Sequence, residues 1–355
     1  MNRREFSKTC GLAALGIFAN VELASAAQIV KNATPLDLSF VNPELRKYAR
    51  KYIEQDSKNG DGTLTRKLIF KIQAAEKTEQ ITFKRTPPVV KKWVPVPNGA
   101  PDVAAYLINV SPGTARPAII HMHGGGFVAG TAKEAVPTAQ EWARELDCFV
   151  ATIEYRLAPE ARYDTIMEEN YAVLYWVYRH AVELGVDPKR IAVLGESAGG
   201  GLAALLALTA RDRGEVPLIF QALIYPELDD RTGSTVFPPG NEGRIIWTAA
   251  DNRLAWHCFL GQAPGTPNVP RIAVPARQSV VGLPPAFIGV GSIDLFLDED
   301  MRYANRLAAA GIETQLTVVP GAFHGFDVLA APTELARTFT ATKMKALRRA
   351  FIGND

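Results

Sequence analysis

The groups in this chain that could act together chemically are four: a serine between glycines, three glycines behind a histidine, an aspartate, and a second histidine. Gly195-Glu196-Ser197-Ala198-Gly199 stands between the apolar run 191–194 and an Ala/Leu-rich stretch over 198–211. In a strand–turn–helix setting such a turn is strained, exposes the serine hydroxyl, and is followed by helix N–H groups that favour developing negative charge. Ser197 is therefore the candidate nucleophile, and Glu196 is read as a supporting carboxylate rather than a catalytic one. A serine hydroxyl attacks poorly until a base takes its proton, and the base needs an orienting group. Asp294, in Gly291-Ser292-Ile293-Asp294, and His324, in Gly321-Ala322-Phe323-His324-Gly325-Phe326, each follow a short apolar run, at 286–290 and 316–319. Both then fall at the carboxyl ends of sheet strands, where α/β folds gather their sites. Asp298, Glu299 and Asp300 are rival acids, but Asp298 has the look of a helix N-cap and the next two of first-turn residues.

His123-Gly124-Gly125-Gly126-Phe127 follows the apolar run 117–121. Consecutive glycines let backbone N–H groups face a ligand with no side chain in the way. Together with the N–H of Ala198 they can receive the charge that grows on a carbonyl oxygen under attack. His123 is expected to brace this loop by hydrogen bonding. Phe127, Trp247, Phe323 and Phe326 are candidate pocket walls, with plain core packing as the competing reading for each.

These residues need a frame. Segments 91–96 and 103–108 pattern as strands joined by a Pro/Gly turn, and are expected to form a hairpin. Strands are expected at 117–121, 148–153, 191–194, 218–224, 286–290 and 316–319. Helices are expected at 133–146, 168–184, 198–211, 298–310 and 334–350. Strands alternating with helices predict a parallel sheet covered on both faces. The rhythm breaks over 226–283, which carries prolines, glycines and tryptophans around a helix at 245–260. Residues 27–90 hold two further helical stretches, one opened by Pro43 and one over 64–75. Both regions are expected to form a lid over a domain spanning 91–355.

With those motifs in hand, the chain resembles the bacterial branch of the hormone-sensitive-lipase family over about residues 90–350. The glycine loop, Tyr155-Arg156-Leu157-Ala158-Pro159-Glu160, the Ser197 turn, and the Asp294 and His324 segments carry the likeness. It implies an α/β-hydrolase fold, with a mostly parallel eight-stranded sheet, helices on both faces and a helical lid. It also implies a cofactor-free carboxylesterase for short or medium acyl chains. On that resemblance Gly125, Gly126 and Ala198 are the oxyanion donors, and Gly124 shapes the loop. The likeness departs at Arg162–Ile166 by position 162–166, at Glu169 and at Glu196, where the family more often has small residues or aspartate. An amidase, a deacetylase of sugar or polyphenol acetates, and a long-chain lipase share this machinery; a ligand-binding protein that kept the fold would have lost part of it.

The 355 residues, 47% hydrophobic, suffice for a large core. With 39 basic and 37 acidic residues the net charge is +2, which gives no nucleic-acid footprint. No P-loop or G-x-G-x-x-G fingerprint occurs, and no His/Cys/Asp cluster has metal-ligand spacing, so no metal is expected. The N-terminus runs from Arg3-Arg4 through an apolar stretch at 11–21 to Ala24-Ser25-Ala26. Charged head, short apolar centre and small-residue exit predict an export signal over 1–26, similar to the twin-arginine type, and hence a periplasmic or secreted protein. No later run suggests a stable membrane span. Of the three cysteines, Cys10 lies in that signal, and Cys148 and Cys258 leave a disulfide open. The partner expected is a small-molecule ester; a homodimer through the last strand or helix is compatible with the sequence, which does not demand it.

Overall fold

The computed structural model describes residues 37–58, 64–97 and 99–353. The export signal expected at 1–26 lies outside the described residues. In chain order the elements are α1 (Arg46–Lys58), α2 (Arg66–Thr78), β1 (Val89–Val94), β2 (Val103–Ile108), β3 (Arg116–Met122), α3 (Ala132–Glu145), β4 (Phe149–Glu154), α4 (Tyr163–Arg179), α5 (Ala181–Leu184), β5 (Val186–Glu196) and α6 (Ala198–Arg213). They continue with β6 (Phe220–Ile224), α7 (Ala249–Leu260), β7 (Ala286–Gly291), α8 (Leu297–Ala309), β8 (Thr314–Val319), α9 (Phe326–Leu329) and α10 (Glu334–Ile352).

The eight strands form one sheet in the order β1-β2-β4-β3-β5-β6-β7-β8. β1 with β2 and β2 with β4 are antiparallel, and every later pairing is parallel. Side chains alternate across the sheet with the period of two that strands impose. Ile191 and Val193 of β5 join the core shared with α4, α6 and α8, while Ala192 and Leu194 join the one shared with α3 and α10. Both faces are thus buried, as a parallel sheet requires. No helix among the described residues is long and apolar enough to cross a membrane.

Three boundaries differ from expectation for identifiable reasons. α4 starts at Tyr163 rather than 168, with Asp164 in its first turn, where the helix dipole favours an acid. The insertion helix starts at Ala249 rather than 245: Ile246 has φ 73°, which no helix accepts, and Thr248 with Asp251 builds a capping box. Val89 and Val90 already belong to the sheet, so the boundary drawn at 90 cuts through β1.

The N-terminal segments part company. Leu38, Val41, Leu45 and Ala49 pack into the core on the α3/α10 side, and Asn42 N–H donates to Gly321 O at 2.9 Å. α2 sits elsewhere, its Ile69 clustered with Trp247, Ala255 and Cys258 of the insertion and Val128 of the glycine loop. Cys148 and Cys258 are both buried and free, one in each of these separate clusters, so they do not form a disulfide.

Candidate active site

Ser197 connects β5 to α6 at φ 58° and ψ −124°, a strained conformation for a residue with a side chain. The surroundings hold it there. Its N–H donates to Ile224 O at 2.9 Å, and its own carbonyl accepts from Gly201 and Glu227 N–H, both at 3.0 Å. Gly199 must be glycine because a Cβ there would lie 2.1 Å from Met122 O. The turn can therefore press against the end of β3 and present the serine beside the glycine loop.

The structure brings the three predicted catalytic groups together. The Ser197 hydroxyl meets His324 Nε2 at 2.9 Å, and His324 Nδ1 meets Asp294 Oδ2 at 2.9 Å. With Nδ1–H donating to the carboxylate, Nε2 is left to accept from the hydroxyl, the tautomer a general base needs. Asp294 Oδ1 accepts from Phe296 N–H at 3.0 Å, which fixes the carboxylate. Asp294 is fully buried and His324 2% exposed, while Ser197 keeps 7%. Phe296 and Tyr225 stand edge-on to the imidazole, with centroids at 5.3 and 4.8 Å. Of the rival acids, Asp298 is exposed and paired to Arg302. It is no N-cap, since α8 begins one residue earlier with Phe296 at the cap position and no side-chain cap bond. Glu299 is tied to Leu228 and Asp229 N–H.

The glycine loop turns on Gly125, whose carbonyl accepts from Val128 and Ala129 N–H at 3.1 and 2.9 Å. Among the described residues, the N–H groups of Gly125, Gly126 and Ala198 have no acceptor within the chain. They are available to an incoming oxyanion. Gly126 has φ 59°, and a Cβ on it would lie 2.3 Å from Trp247 Cη2, so the indole closes over the loop. Trp247 Nε1–H is held by Asn252 Oδ1 at 3.0 Å. A Cβ on Gly124 would be 3.0 Å from Glu196 O, so this glycine lets loop and turn meet.

His123 braces the loop as expected. Its Nδ1–H donates to Gly124 O at 2.8 Å, and its ring stacks on Tyr155, whose hydroxyl donates to His123 O at 2.7 Å. Burial pushes His123 down to about 4, so the ring stays neutral. Glu196 Oε2 meets His121 Nε2 at 2.9 Å, and His121 Nδ1 meets the Thr152 hydroxyl at 2.8 Å. Burial pushes the Glu196 carboxyl up, but His121 beside it, then Lys343 and His123, outweigh this and hold it below the usual range.

The pocket-wall expectations need correction. Phe127, Phe323 and Phe326 are wholly buried and cannot line a cavity open to substrate. Phe127 stacks on Phe259 at 4.1 Å, and Phe326 packs on Phe339 at 5.0 Å. Of the four, Trp247 is the one whose ring lies against Gly126, whereas Phe127, though in the loop, turns its ring onto Phe259. Sequence reasoning missed Gln73 and Glu76 of α2. Gln73 Nε2–H donates to Val128 O and Ala158 O at 2.8 and 3.0 Å, and Gly130 N–H donates to Glu76 Oε1 at 2.7 Å. Their signal was available: both lie on the same helix face as Ile69 and Ile72. Arg156 and Glu169 form a further bond that was not foreseen, with Arg156 N–H on Glu169 Oε2 at 2.8 Å.

Comparison with known proteins agrees with this geometry. Residues 119–328 match the profile of a family described as alpha/beta hydrolase fold. The chain is 36% identical over 235 residues to Carboxylesterase NlhH of Mycobacterium tuberculosis, covering 66% of this chain and 74% of that protein. A stretch of 99 residues, 28% of this chain and 13% of that protein, is 40% identical to hormone-sensitive lipase of Bos taurus. Among solved structures, Bacterial Heroin Esterase superposes with a TM-score of 0.75 at 34% identity, covering 88% of this chain and 99% of that one. Sequence profile, curated relatives and superposed fold converge: this chain belongs to the hormone-sensitive-lipase-like esterase family of the alpha/beta hydrolases.

Proposed function

We propose that the chain is a serine carboxylesterase for short- to medium-chain carboxylic esters. The observation that carries this reading is the unbroken relay Asp294–His324–Ser197 beside three amides without acceptors. His324 Nε2 takes the Ser197 proton as the oxygen attacks the ester carbonyl, and Asp294 stabilises the imidazolium through Nδ1–H. The carbonyl oxygen becomes an anion that accepts from Gly125, Gly126 and Ala198 N–H. His324 then protonates the leaving alcohol, and water, deprotonated by the same nitrogen, frees the acid from Ser197. The named activities of the relatives, a carboxylesterase and a heroin esterase, support the same class. We also assign a lid role to α2 and the 226–283 insertion, because they meet in one apolar cluster around Trp247 at the glycine loop.

The test is turnover of p-nitrophenyl esters from acetate to palmitate by residues 27–355, beside Ser197→Ala. Hydrolysis that peaks at short or medium chains and falls by at least about a millionfold in the variant is expected. A long-chain optimum turns the reading to lipase, and turnover unaffected by the variant overturns it. Export is a separate proposal, supported by Arg3-Arg4, the apolar stretch and Ala24-Ser25-Ala26. Replacing Arg3 and Arg4 together by lysine should leave the protein in the cytoplasmic fraction; unchanged export by that variant refutes the twin-arginine route.

A further inference from the structure

The nucleophile and the base each have a carboxylate as a near sequence neighbour, half-buried for Glu196 and buried for Asp327, and the charge of one lysine bears on both. Glu196 directly precedes Ser197, and Asp327 lies three residues after His324. Lys343 reaches them from α10. Its Nζ is 4.0 Å from Asp327 Oδ2, with both side chains 4% exposed, and its charge also acts on Glu196. The Nζ also lies 5.3 Å from the centre of the Trp142 ring, which stands edge-on to His121, the partner of Glu196. On the other side, Asp327 Oδ1 accepts the Tyr225 hydroxyl at 2.8 Å, and the Tyr225 ring is edge-on to His324. A lysine is almost never buried without a task or a partner, and no step of the hydrolytic cycle uses this one.

We propose that Lys343 is a positioning residue that sets the charge balance at His324, through Asp327 and Tyr225 on one side and Glu196 on the other. The inference rests on the esterase reading of the same site. The titratable groups around the Ser197–His324 pair can be named element by element. Asp294 touches it from the loop before α8, with Asp300 of α8 behind that acid. Tyr225 follows β6, Glu196 ends β5, and His121 and His123 come from the end of β3. Asp327 is on α9 and Lys343 on α10. Apart from the histidines, Lys343 is the cation in this set. Buried carboxylates favour the imidazolium form, because charges interact strongly where water is excluded. Lys343 offsets Asp327 and Glu196 and leaves Asp294 as the acid that His324 feels in full.

Two opposite substitutions test this: Lys343→Met, and Asp327→Asn. The readouts are the pH dependence of kcat/KM on p-nitrophenyl butyrate and the pH dependence of Ser197 labelling by a fluorophosphonate, which needs no ester turnover. Lys343→Met should move the acidic limb of both profiles to higher pH, with labelling below the limb slower by about tenfold for a one-unit move. Asp327→Asn should move it to lower pH, and the double variant should return close to wild type. A merely structural lysine would lower both rates at every pH and leave the limb in place; that result, or limbs moving the same way in the two single variants, overturns the proposal. Should Lys343→Met fail to fold, Lys343→Gln is measured in its place, and a limb that does not rise in it refutes the proposal. Wild-type protein that labels but hydrolyses no ester would sink the esterase reading, and the labelling profiles would still judge Lys343.

Discussion

Gly126 shows how narrow the chemical demand is at a single position. Its φ of 59° and the indole 2.3 Å from where a Cβ would sit mean that alanine must displace either Trp247 or the loop. Displacing the loop moves an amide that acts on the oxyanion rather than on the bound ester. Gly126→Ala should therefore lower kcat by roughly 100- to 1,000-fold with a small change in KM, measured by steady-state kinetics on p-nitrophenyl butyrate. A fall confined to KM would assign the residue to the pocket instead. The candidate catalytic groups were legible because the chemistry dictates residue type: a serine in a glycine-flanked turn needs a histidine as base and an acid to orient it. The aromatic walls were not. Whether Phe127 or Phe326 faces substrate or core depends on Phe259 and Phe339, which lie 132 and 13 residues further along and come near only through the fold. Asp298 misled for a related reason: a cap is a backbone geometry, and the α8 cap falls on Phe296.

At the level of elements, α2 is fastened to the glycine loop by the buried acid Glu76 as well as by Gln73. Burial, aided by Glu154 and Glu79, pushes Glu76 up to about 7. Glu134 of α3 goes up to about 9, through burial and then the nearby Glu76 and Glu79. Lys133 Nζ meanwhile donates to Glu79 O. A carboxyl raised in the folded state holds its proton there while the unfolded chain releases it. Its contribution to stability therefore declines as pH climbs from the ordinary carboxyl range, and levels off above about 7 for Glu76 and about 9 for Glu134. Glu134→Gln should raise the melting temperature by a few degrees at about pH 8.5 and leave it nearly unchanged at about pH 4, read by scanning fluorimetry. Equal shifts at both pH values would show that the carboxyl is not protonated in the folded protein. The period of two in the strands and the Ala/Leu run of α6 made the elements themselves readable. Their ends were less so, because the α4 start and the Ile246 break depend on local backbone geometry rather than on hydrophobic pattern.

At the scale of the whole molecule, two cores on opposite faces of the sheet carry the fold, and no disulfide ties them among the described residues. Burial pushes the Cys148 thiol up to about 12 and raises Cys258 as well, so neither is a ready thiolate. Reductant should leave the melting temperature unchanged to within about 1 °C, and iodoacetamide should modify neither cysteine until the protein is denatured. A reductant-sensitive melting point would mean that the two had paired. The family and a mostly parallel sheet followed from motif and rhythm, but the strand order and the parting of the N-terminal segments did not, since nothing near residue 42 announces Gly321. That bond has a meaning in time. Asn42 and α2 leave the ribosome before Gly321, Asp251 or Gly130 exists, and His324 is made 127 residues after Ser197. The earlier-made segments must wait for the later-made ones. On the esterase reading, a nascent chain that has not reached residue 324 carries Ser197 with no base to arm it.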